Sequence, residues 1–225
     1  MTNPPHSQTL DRGLRVLEVL AAADEPLSVA EIARKVNAHR SIIYRMVRTL
    51  EDHRLVSRGG DGTYALGPGL AALARSINPA LQSAAMPALS DLANEVGMTA
   101  FLVVPEGDDA VTLLSVEPRN TQVHVAYRPG IRHPIHRGAP GLALLAGRPP
   151  VAGEPPNVTE ARARGWAHSY SEVLSGMRSV AAPVVDRRGN VPAAVAVVYV
   201  AEEIEPAELA KRVTAAATVV AAELP

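Results

Sequence analysis

The chain has no cysteine and few aromatic residues. Its 225 residues include one Trp, one Phe and five Tyr. The absence of cysteine excludes disulfides and thiol chemistry and fits a reducing compartment, so we expect a cytoplasmic protein. No apolar run approaches the length of about 18 residues that a membrane helix needs. The first ten residues, MTNPPHSQTL, lack the basic and apolar regions of a signal peptide.

The chain also lacks a large excess of either positive or negative charge, because its formal net charge is −1. A uniformly basic nucleic-acid binder is therefore excluded. The distribution is uneven, however. Residues 34–58 carry seven basic and two acidic side chains, a net charge of +5, whereas residues 80–225 carry 12 basic and 15 acidic ones, a net charge of −3. The positive charge is confined to one short segment, which points to a local anion-binding surface.

That segment has the pattern of a helix-turn-helix. A first helix is expected to begin near Ser7 or Thr9 and to end before Pro26. Ser28 with Glu31 forms a capping box at the start of a second helix. Residues 37–39 form the turn, and a third helix is expected from Arg40 to Asp52. Two short apolar strands, residues 55–58 and 63–66, flank the glycine-rich segment 59–62, which is typical of a β-hairpin.

The third helix places polar and basic side chains on the face opposite its apolar residues. Guanidinium groups suit guanine edges, and hydroxyl groups suit phosphates or base edges. With a hairpin serving as a wing, this predicts insertion into the DNA major groove. The predicted DNA-binding residues are Ser28, His39, Arg40, Ser41, Tyr44, Arg45, Arg48 and Arg58. The alternatives are a merely solvated helix face and, for Arg58, a simple surface hairpin.

In the second half of the chain, the spacing of apolar residues predicts strands as well as helices. Helices are predicted at 70–77 and 81–96, followed by strands at 100–105, 111–116, 123–127, 180–185 and 193–200. A short helix is expected at 142–146, an irregular proline-rich stretch at 148–159, and a last helix at 205–224. The fold class is therefore α+β, with an antiparallel sheet and flanking helices of a size that suits a small ligand.

The chain resembles the IclR-type transcriptional regulators along nearly all its length. The family's N-terminal pattern is similar to Leu10-Asp11-Arg12-Gly13-Leu14-Arg15-Val16-Leu17, Glu31-Ile32-Ala33, and Arg40-Ser41 with Tyr44-Arg45. The linker pattern is similar to Tyr64-Ala65-Leu66-Gly67. The C-terminal pattern is similar to residues 130–136 (GIRHPIH), 141–146 (GLALLA), 164–167 (RGWA), Glu172 and residues 176–184 (GMRSVAAPV).

The resemblance implies a winged helix-turn-helix domain over residues 1–67, a linker helix over 68–80 and a GAF-like effector-binding domain over 81–225. It also implies a homodimer through the N-terminal domains, often a dimer of dimers. By matching positions, it implies an effector site at Val125, Tyr127, His136, Ala139, Pro140, Ser169, Met177, Ser179, Ala196 and Val198. Most of these would serve equally well as core residues.

Several residues depart from the family's pattern. Ile42 replaces a small hydroxyl residue, so one polar contact is expected to be missing from the third helix. Arg54 replaces a common Gly, which raises the question of backbone strain. Residues 148–160 are shorter than usual, so a flanking helix is expected to be absent and the pocket more open. Ala196, Val198 and Ser169 stand where more polar or acidic residues are common, which predicts a rather apolar effector, such as an apolar or aromatic organic acid.

Other chemistries find little support in the sequence. Arg128, Arg132 and Arg178 could pair with an effector carboxylate, or they could be solvated or form structural ion pairs. A metal site built from His133 and His136 with His124 and His168 has no cysteine and no convincing carboxylate partner. No Gly-x-Ser-x-Gly and no phosphate-binding glycine loop occurs, so neither an enzyme nor a cofactor is expected.

The sequence thus predicts a regulator that binds a double-stranded DNA operator, palindromic because a dimer has two-fold symmetry, and that a small-molecule effector controls. The alternatives are a DNA-binding protein whose C-terminal domain only oligomerises and, less well supported, a stand-alone enzyme.

Overall fold

The computed structural model describes residues 7–119, 121, 125–200 and 204–224. The chain divides into two compact units between Pro79 and Ala80. In the described part of the chain, no helix is both long and apolar enough to cross a membrane.

The first unit consists of three helices, a two-stranded hairpin and a short fourth helix. The elements are α1 (Gln8–Ala21), α2 (Val29–Val36), α3 (Arg40–Asp52), β1 (Val56–Arg58), β2 (Tyr64–Leu66) and α4 (Gly69–Arg75). Ser7 caps α1, and the predicted capping box of Ser28 and Glu31 begins α2. The three helices and the hairpin therefore begin and end close to where the sequence predicts them.

A small apolar core holds these helices together. Val16, Ile32 and Ile43, one from each helix, are completely buried. The hairpin joins this core through Tyr64, whose backbone exchanges hydrogen bonds of 2.8 and 2.9 Å with Leu27. This bridge fixes the hairpin beside α2, and the side chain of Tyr64 is 1% exposed.

A close backbone contact joins the end of α3 to the start of α4. Arg54 has a φ of 59°, and its carbonyl accepts a hydrogen bond from Gly69 N–H at 2.8 Å. A Cβ atom on Gly67 would lie 2.4 Å from the Arg54 carbonyl oxygen, and one on Gly69 would lie 2.7 Å from it. Only glycine fits at these two positions, so we call residues 54, 67 and 69 the glycine joint.

The second unit is a six-stranded antiparallel sheet with two helices on each face. The elements are α5 (Pro79–Val96), β3 (Thr99–Glu106), β4 (Asp109–Val116), β5 (Arg132–Pro134), α6 (Gly138–Gly147), α7 (Pro156–Arg164), β6 (Ala167–Tyr170), β7 (Arg178–Val184), β8 (Ala193–Tyr199) and α8 (Pro206–Glu223). The strand order is β5-β4-β3-β8-β7-β6.

Each face of the sheet has its own apolar core. Leu89 of α5 and Val213 of α8 pack against alternate residues of β3, β7 and β8 on one face. Leu142 and Leu144 of α6 pack with Phe101 of β3 on the other face. Strand β8 is buried along its whole length, as expected for a central strand covered on both sides.

Three predictions for this unit need correction. Helix α7 occupies part of the segment expected to be irregular, so the flanking helix is present rather than absent. Pro156 begins it and Gly165, with a φ of 78°, ends it. Helix α6 begins at Gly138, four residues earlier than expected. The predicted strand 123–127 lies partly outside the described residues, and residues 125–127 form no strand.

Candidate functional site

The exposed face of α3 presents basic and hydroxyl side chains to solvent. Ile43, Met46 and Val47 bury the opposite face in the core. At the helical advance of about 100° per residue, Ser41, Arg45 and Arg48 therefore fall on one outward-facing stripe. Arg40 and the 45%-exposed Tyr44 flank this stripe. We call Ser41, Arg45 and Arg48 the arginine face.

Local interactions orient this face. His39 caps α3, and its Nδ1 lies 2.8 Å from the Ser41 hydroxyl oxygen. The Tyr44 hydroxyl beside the Arg48 guanidinium raises the pKa of Arg48 above its ordinary value, and Asp52 makes a smaller contribution. These contacts restrict the side chains before any ligand is bound.

Two other predicted residues, Ser28 and Arg58, lie in different surroundings, and so does Ile42, which departs from the family's pattern. The Ser28 hydroxyl caps α2 by accepting from Glu31 N–H at 3.4 Å, and it donates to Glu31 Oε2 at 2.7 Å. This bond lowers the pKa of Glu31. Arg58 is exposed at the base of the hairpin. Ile42 is half-buried against the core, so it does not lie on the arginine face. Together with Arg45 of that face, it borders a groove between α1 and α3.

The groove between α1 and α3 is apolar and open. It has a volume of about 650 Å³, and Leu17, Ile42 and Leu50 form part of its walls. On its α1 side, Leu10 is 63% exposed and Leu14 is 51% exposed. Two adjacent leucines with this exposure are unusual on the surface of a monomer.

A narrow cavity lies between the sheet and the amino terminus of α6 in the second unit. Its volume is about 20 Å³, which is room for about one water molecule. Its twelve lining residues are Phe101, Tyr127, Gly138, Pro140, Ser169, Glu172, Val173, Leu174, Met177, Arg178, Ser179 and Val198. The expectation of a more open pocket stays a prediction.

The cavity includes six of the ten residues predicted for the effector site. They are Tyr127, Pro140, Ser169, Met177, Ser179 and Val198. The other four lie elsewhere. Ala139 and Ala196 are completely buried in the core, Val125 packs against that core, and His136 is exposed.

Polar groups of the cavity are held in place by hydrogen bonds. Ala139 N–H donates to the Ser169 hydroxyl at 2.9 Å, and Gly138 N–H donates to Glu172 Oε2 at 2.7 Å. The Ser179 hydroxyl donates to the Val197 carbonyl at 2.9 Å. The first two N–H groups of α6, which a helix cannot satisfy internally, are thus satisfied by side chains distant in sequence.

Aromatic and apolar side chains form the rest of the cavity wall. The rings of Phe101 and Tyr127 lie 4.3 Å apart. Burial raises the pKa of the Tyr127 hydroxyl, so this group stays neutral. The Arg178 guanidinium lies 4.6 Å from the ring centre of Tyr170.

The sequence did not assign Phe101, Gly138, Val173 and Leu174 to the cavity. It offered Arg178 as a possible partner of an effector carboxylate and Glu172 only as part of the family's pattern. Val173 and Leu174 come from the connection between β6 and β7, where no periodic pattern marks an inward side chain. The position of Phe101 opposite Ala196 depends on the pairing of β3 with β8. No local pattern in the sequence identifies Phe101, Val173 or Leu174 as a cavity residue.

The histidines do not form a metal site in the described part of the chain. His133 is buried, and its Nδ1 lies 3.1 Å from the Pro134 carbonyl. His136 and His168 are exposed. His124 lies outside the described residues. Among the residues that are described, no group of three or more His, Asp or Glu could hold a metal ion.

Two family models match the chain. The IclR helix-turn-helix domain matches residues 9–60, and the bacterial transcriptional regulator IclR C-terminal domain matches residues 156–223. The chain is 32% identical over 213 residues to the probable transcriptional regulator SauR of Cupriavidus necator, with 83% of each chain covered.

Solved structures have the same fold. An IclR transcriptional regulator from Alicyclobacillus acidocaldarius is 25% identical, with a TM-score of 0.77 and coverage of 98% of this chain and 100% of that one. An IclR homologue from Microbacterium hydrocarbonoxydans, solved with 4-hydroxybenzoate, is 24% identical, with a TM-score of 0.77 and coverage of 96% and 99%.

The relatives confirm the predicted α+β fold class. They are transcriptional regulators rather than enzymes, in agreement with the prediction. The matched domains are a DNA-binding helix-turn-helix and a C-terminal effector-binding domain. The chain belongs to the IclR family of transcriptional regulators.

Proposed function

We propose that the protein binds a palindromic operator as a dimer, or as a dimer of dimers, and that a small, rather apolar metabolite controls this binding. The observation that carries the proposal is the arginine face of α3. Its guanidinium and hydroxyl groups point outward from a helix of 13 residues, which is the arrangement that major-groove recognition requires.

Charge supports a dimer. Residues 34–58 have a net charge of +5 within a chain whose net charge is −1. Because affinity for DNA depends strongly on the number of neutralised phosphates, one such unit alone would bind weakly. The open groove with Leu10 and Leu14 offers an apolar surface that a second copy would cover.

The cavity supports a rather apolar effector. Phe101, Tyr127 and Met177 present aromatic and thioether surfaces, and Val198 adds an aliphatic one. Two hydroxyl groups, those of Ser169 and Ser179, already have partners. Aromatic side chains of this kind suit an aromatic effector, and the homologue from Microbacterium hydrocarbonoxydans was solved with an aromatic compound, 4-hydroxybenzoate.

Replacement of Arg45 by Ala tests the DNA-binding part. We expect operator affinity to fall by about 1–3 kcal/mol, because a bidentate contact to guanine contributes about that much. Fluorescence anisotropy on DNA selected by the wild-type protein from a random pool measures the effect. Arg188→Ala, an exposed arginine in the second unit, should bind as the wild type does. Equal affinity of Arg45→Ala and wild type would remove Arg45 from the contact surface.

The narrowness of the cavity favours a second candidate, a DNA-binding protein whose C-terminal unit only oligomerises. A cavity of about 20 Å³ is far below the several hundred Å³ of most ligand pockets. Thermal unfolding with a panel of aromatic and aliphatic acids separates the candidates. A ligand at 100 times its Kd stabilises the protein by about 2.7 kcal/mol, whereas the second candidate predicts no shift with any compound.

A further inference from the structure

The connection between β6 and β7 covers the cavity. Residues 171–177, which we call the 171–177 loop, supply Glu172, Val173, Leu174 and Met177 to the cavity lining. Both ends of the loop continue into paired strands, since Tyr170 of β6 pairs with Arg178 of β7. The loop is therefore hinged on rigid elements while its middle residues reach over the cavity.

The middle of the loop is fastened to the start of α6. Glu172 Oε2 accepts the Gly138 N–H at 2.7 Å. The Arg137 guanidinium donates to the Glu172 carbonyl. The side chain of Val173 fills the space beside Gly138, where a Cβ would lie 2.6 Å from Val173 Cγ2. All three contacts meet at residues 137 and 138, so the Glu172 carboxylate is the one polar side chain of the loop in this attachment.

Glu172 also borders a wider pocket. The second pocket has a volume of about 390 Å³ and follows the edge strand β6. It shares Ser169, Glu172 and Arg178 with the narrow cavity. The wider pocket by itself falls within the usual size range of small-molecule sites.

We propose that the 171–177 loop is a lid that the Glu172 carboxylate latches onto α6, and that Glu172 selects effectors by charge. An anionic head group that approaches the start of α6 must displace a carboxylate already bound there and is repelled by it. A neutral compound of the same shape meets no such repulsion. This inference deepens the proposed ligand response and rests on it.

The latch can be tested without knowledge of the natural effector. Glu172→Ala removes the acceptor, and we expect hydrogen–deuterium exchange at residues 138–139 and 171–177 to become about tenfold faster or more. Glu172→Gln keeps an acceptor and should exchange nearly as slowly as the wild type. Glu223→Ala, at an exposed position on α8 that lines neither pocket, is the matched control. Unchanged exchange in Glu172→Ala would overturn the latch.

Benzoate and benzamide, which share a shape and differ in charge, test the selection by calorimetry. We expect Glu172→Gln to bind benzoate about 5- to 10-fold more tightly than the wild type, because one nearby negative charge is removed. Its affinity for benzamide should stay the same, and Glu223→Gln, at an exposed position on α8 outside both pockets, should change neither. Failure of Glu172→Gln to gain affinity for benzoate, including no binding at all, overturns the selection by charge. Absence of operator binding by the wild type would instead overturn the proposed function and leave the exchange result standing.

Discussion

Arg54 adopts a backbone conformation that favours glycine. Its φ of 59° lies in the left-handed region directly after α3, where a side chain costs about 1–2 kcal/mol. Its carbonyl belongs to the glycine joint, so the backbone cannot relax without the loss of that contact. The strain question that the sequence raises at this position therefore has a structural basis.

Replacement of Arg54 by Gly should stabilise the protein. The relief of strain exceeds the extra entropy of glycine in the unfolded chain, so we expect a net gain of up to about 1 kcal/mol in urea unfolding. Asn37, with a φ of 55°, is the matched control. Asn tolerates this conformation better, so Asn37→Gly should gain less. A loss of stability in Arg54→Gly would mean that the arginine side chain contributes more than the strain costs.

His133 should make stability depend on pH. Burial lowers its pKa, and hydrogen bonding to the Pro134 backbone only partly opposes this effect. The unfolded chain therefore binds a proton near the ordinary value of about 6.5, before the folded protein does. Above about pH 6.5, His133 should not make the free energy of unfolding depend on pH. That free energy should fall as the pH drops from about 6.5 toward the lower pKa that His133 has in the folded protein.

Chemical unfolding at a series of pH values between about 7.5 and 5 measures this dependence. The His133→Gln variant, which cannot titrate, should lose this part of the decline. The exposed His53 provides the control, and His53→Gln should keep the wild-type slope. The same slope in wild type and His133→Gln would assign the decline to other groups.

At the scale of elements, one side chain of α7 bonds to the carbonyl end of α6. The Arg162 guanidinium donates to the carbonyls of Ala146 and Arg148 and to that of Leu145 at 3.3 Å, and it pairs with Glu154 at 2.7 Å. Arg162 thus supplies donors to the carbonyl end of α6, where the helix has none of its own. The pair also lowers the pKa of Glu154.

Arg162→Met should destabilise the second unit by about 2–4 kcal/mol, because it leaves several carbonyls and a largely buried carboxylate without their donor. Thermal or urea unfolding measures the loss. The double variant Arg162→Met/Glu154→Met should recover part of it, since no lone charge remains. A double variant as unstable as the single one would show that the carbonyl contacts, rather than the ion pair, carry the effect.

Elements with a local signal were predicted well from the sequence. The capping box of Ser28 and Glu31, the glycine-rich hairpin and the turn between β3 and β4 each depend on neighbouring residues. Helix α7 also has a local signal, in Pro156 and Gly165. The four prolines between residues 149 and 156, however, favoured the prediction of an irregular segment. The short strand β5 follows from pairing with β4, more than 20 residues earlier in the chain, and a local pattern does not contain such a pairing.

The candidate site shows the same limit. Tyr127, Ser169 and Ser179 follow from position-matching to the family, and the structure brings them to one cavity. The contacts of Glu172 and Val173 with Gly138 join residues 34 positions or more apart. Such contacts depend on how the sheet and α6 pack, so the sequence alone does not predict them.

At the scale of the whole molecule, the groove between α1 and α3 leads to a prediction about assembly. Leu14 is 51% exposed there, so Leu14→Arg should leave the fold of one chain intact. If a second copy covers the groove, the buried charge will oppose association. Analytical ultracentrifugation should then show monomers, and operator binding should weaken.

The control is Leu73→Arg on α4. Leu73 is 59% exposed and does not line this groove, so this variant adds the same charge at another exposed leucine. A Leu14→Arg protein that remains dimeric would place the dimer contact on another surface.

The glycine joint has a consequence for the construction of chimaeric regulators. Its contacts lie entirely between residues 53 and 69, ahead of the division between Pro79 and Ala80. A hybrid gene spliced after residue 79 would carry the joint intact and could receive a different sensor. A splice between residues 54 and 67 would take Arg54 from one protein and its contact residues 67 and 69 from another. Biosensor libraries built from this chain should therefore keep residues 1–79 as one cassette.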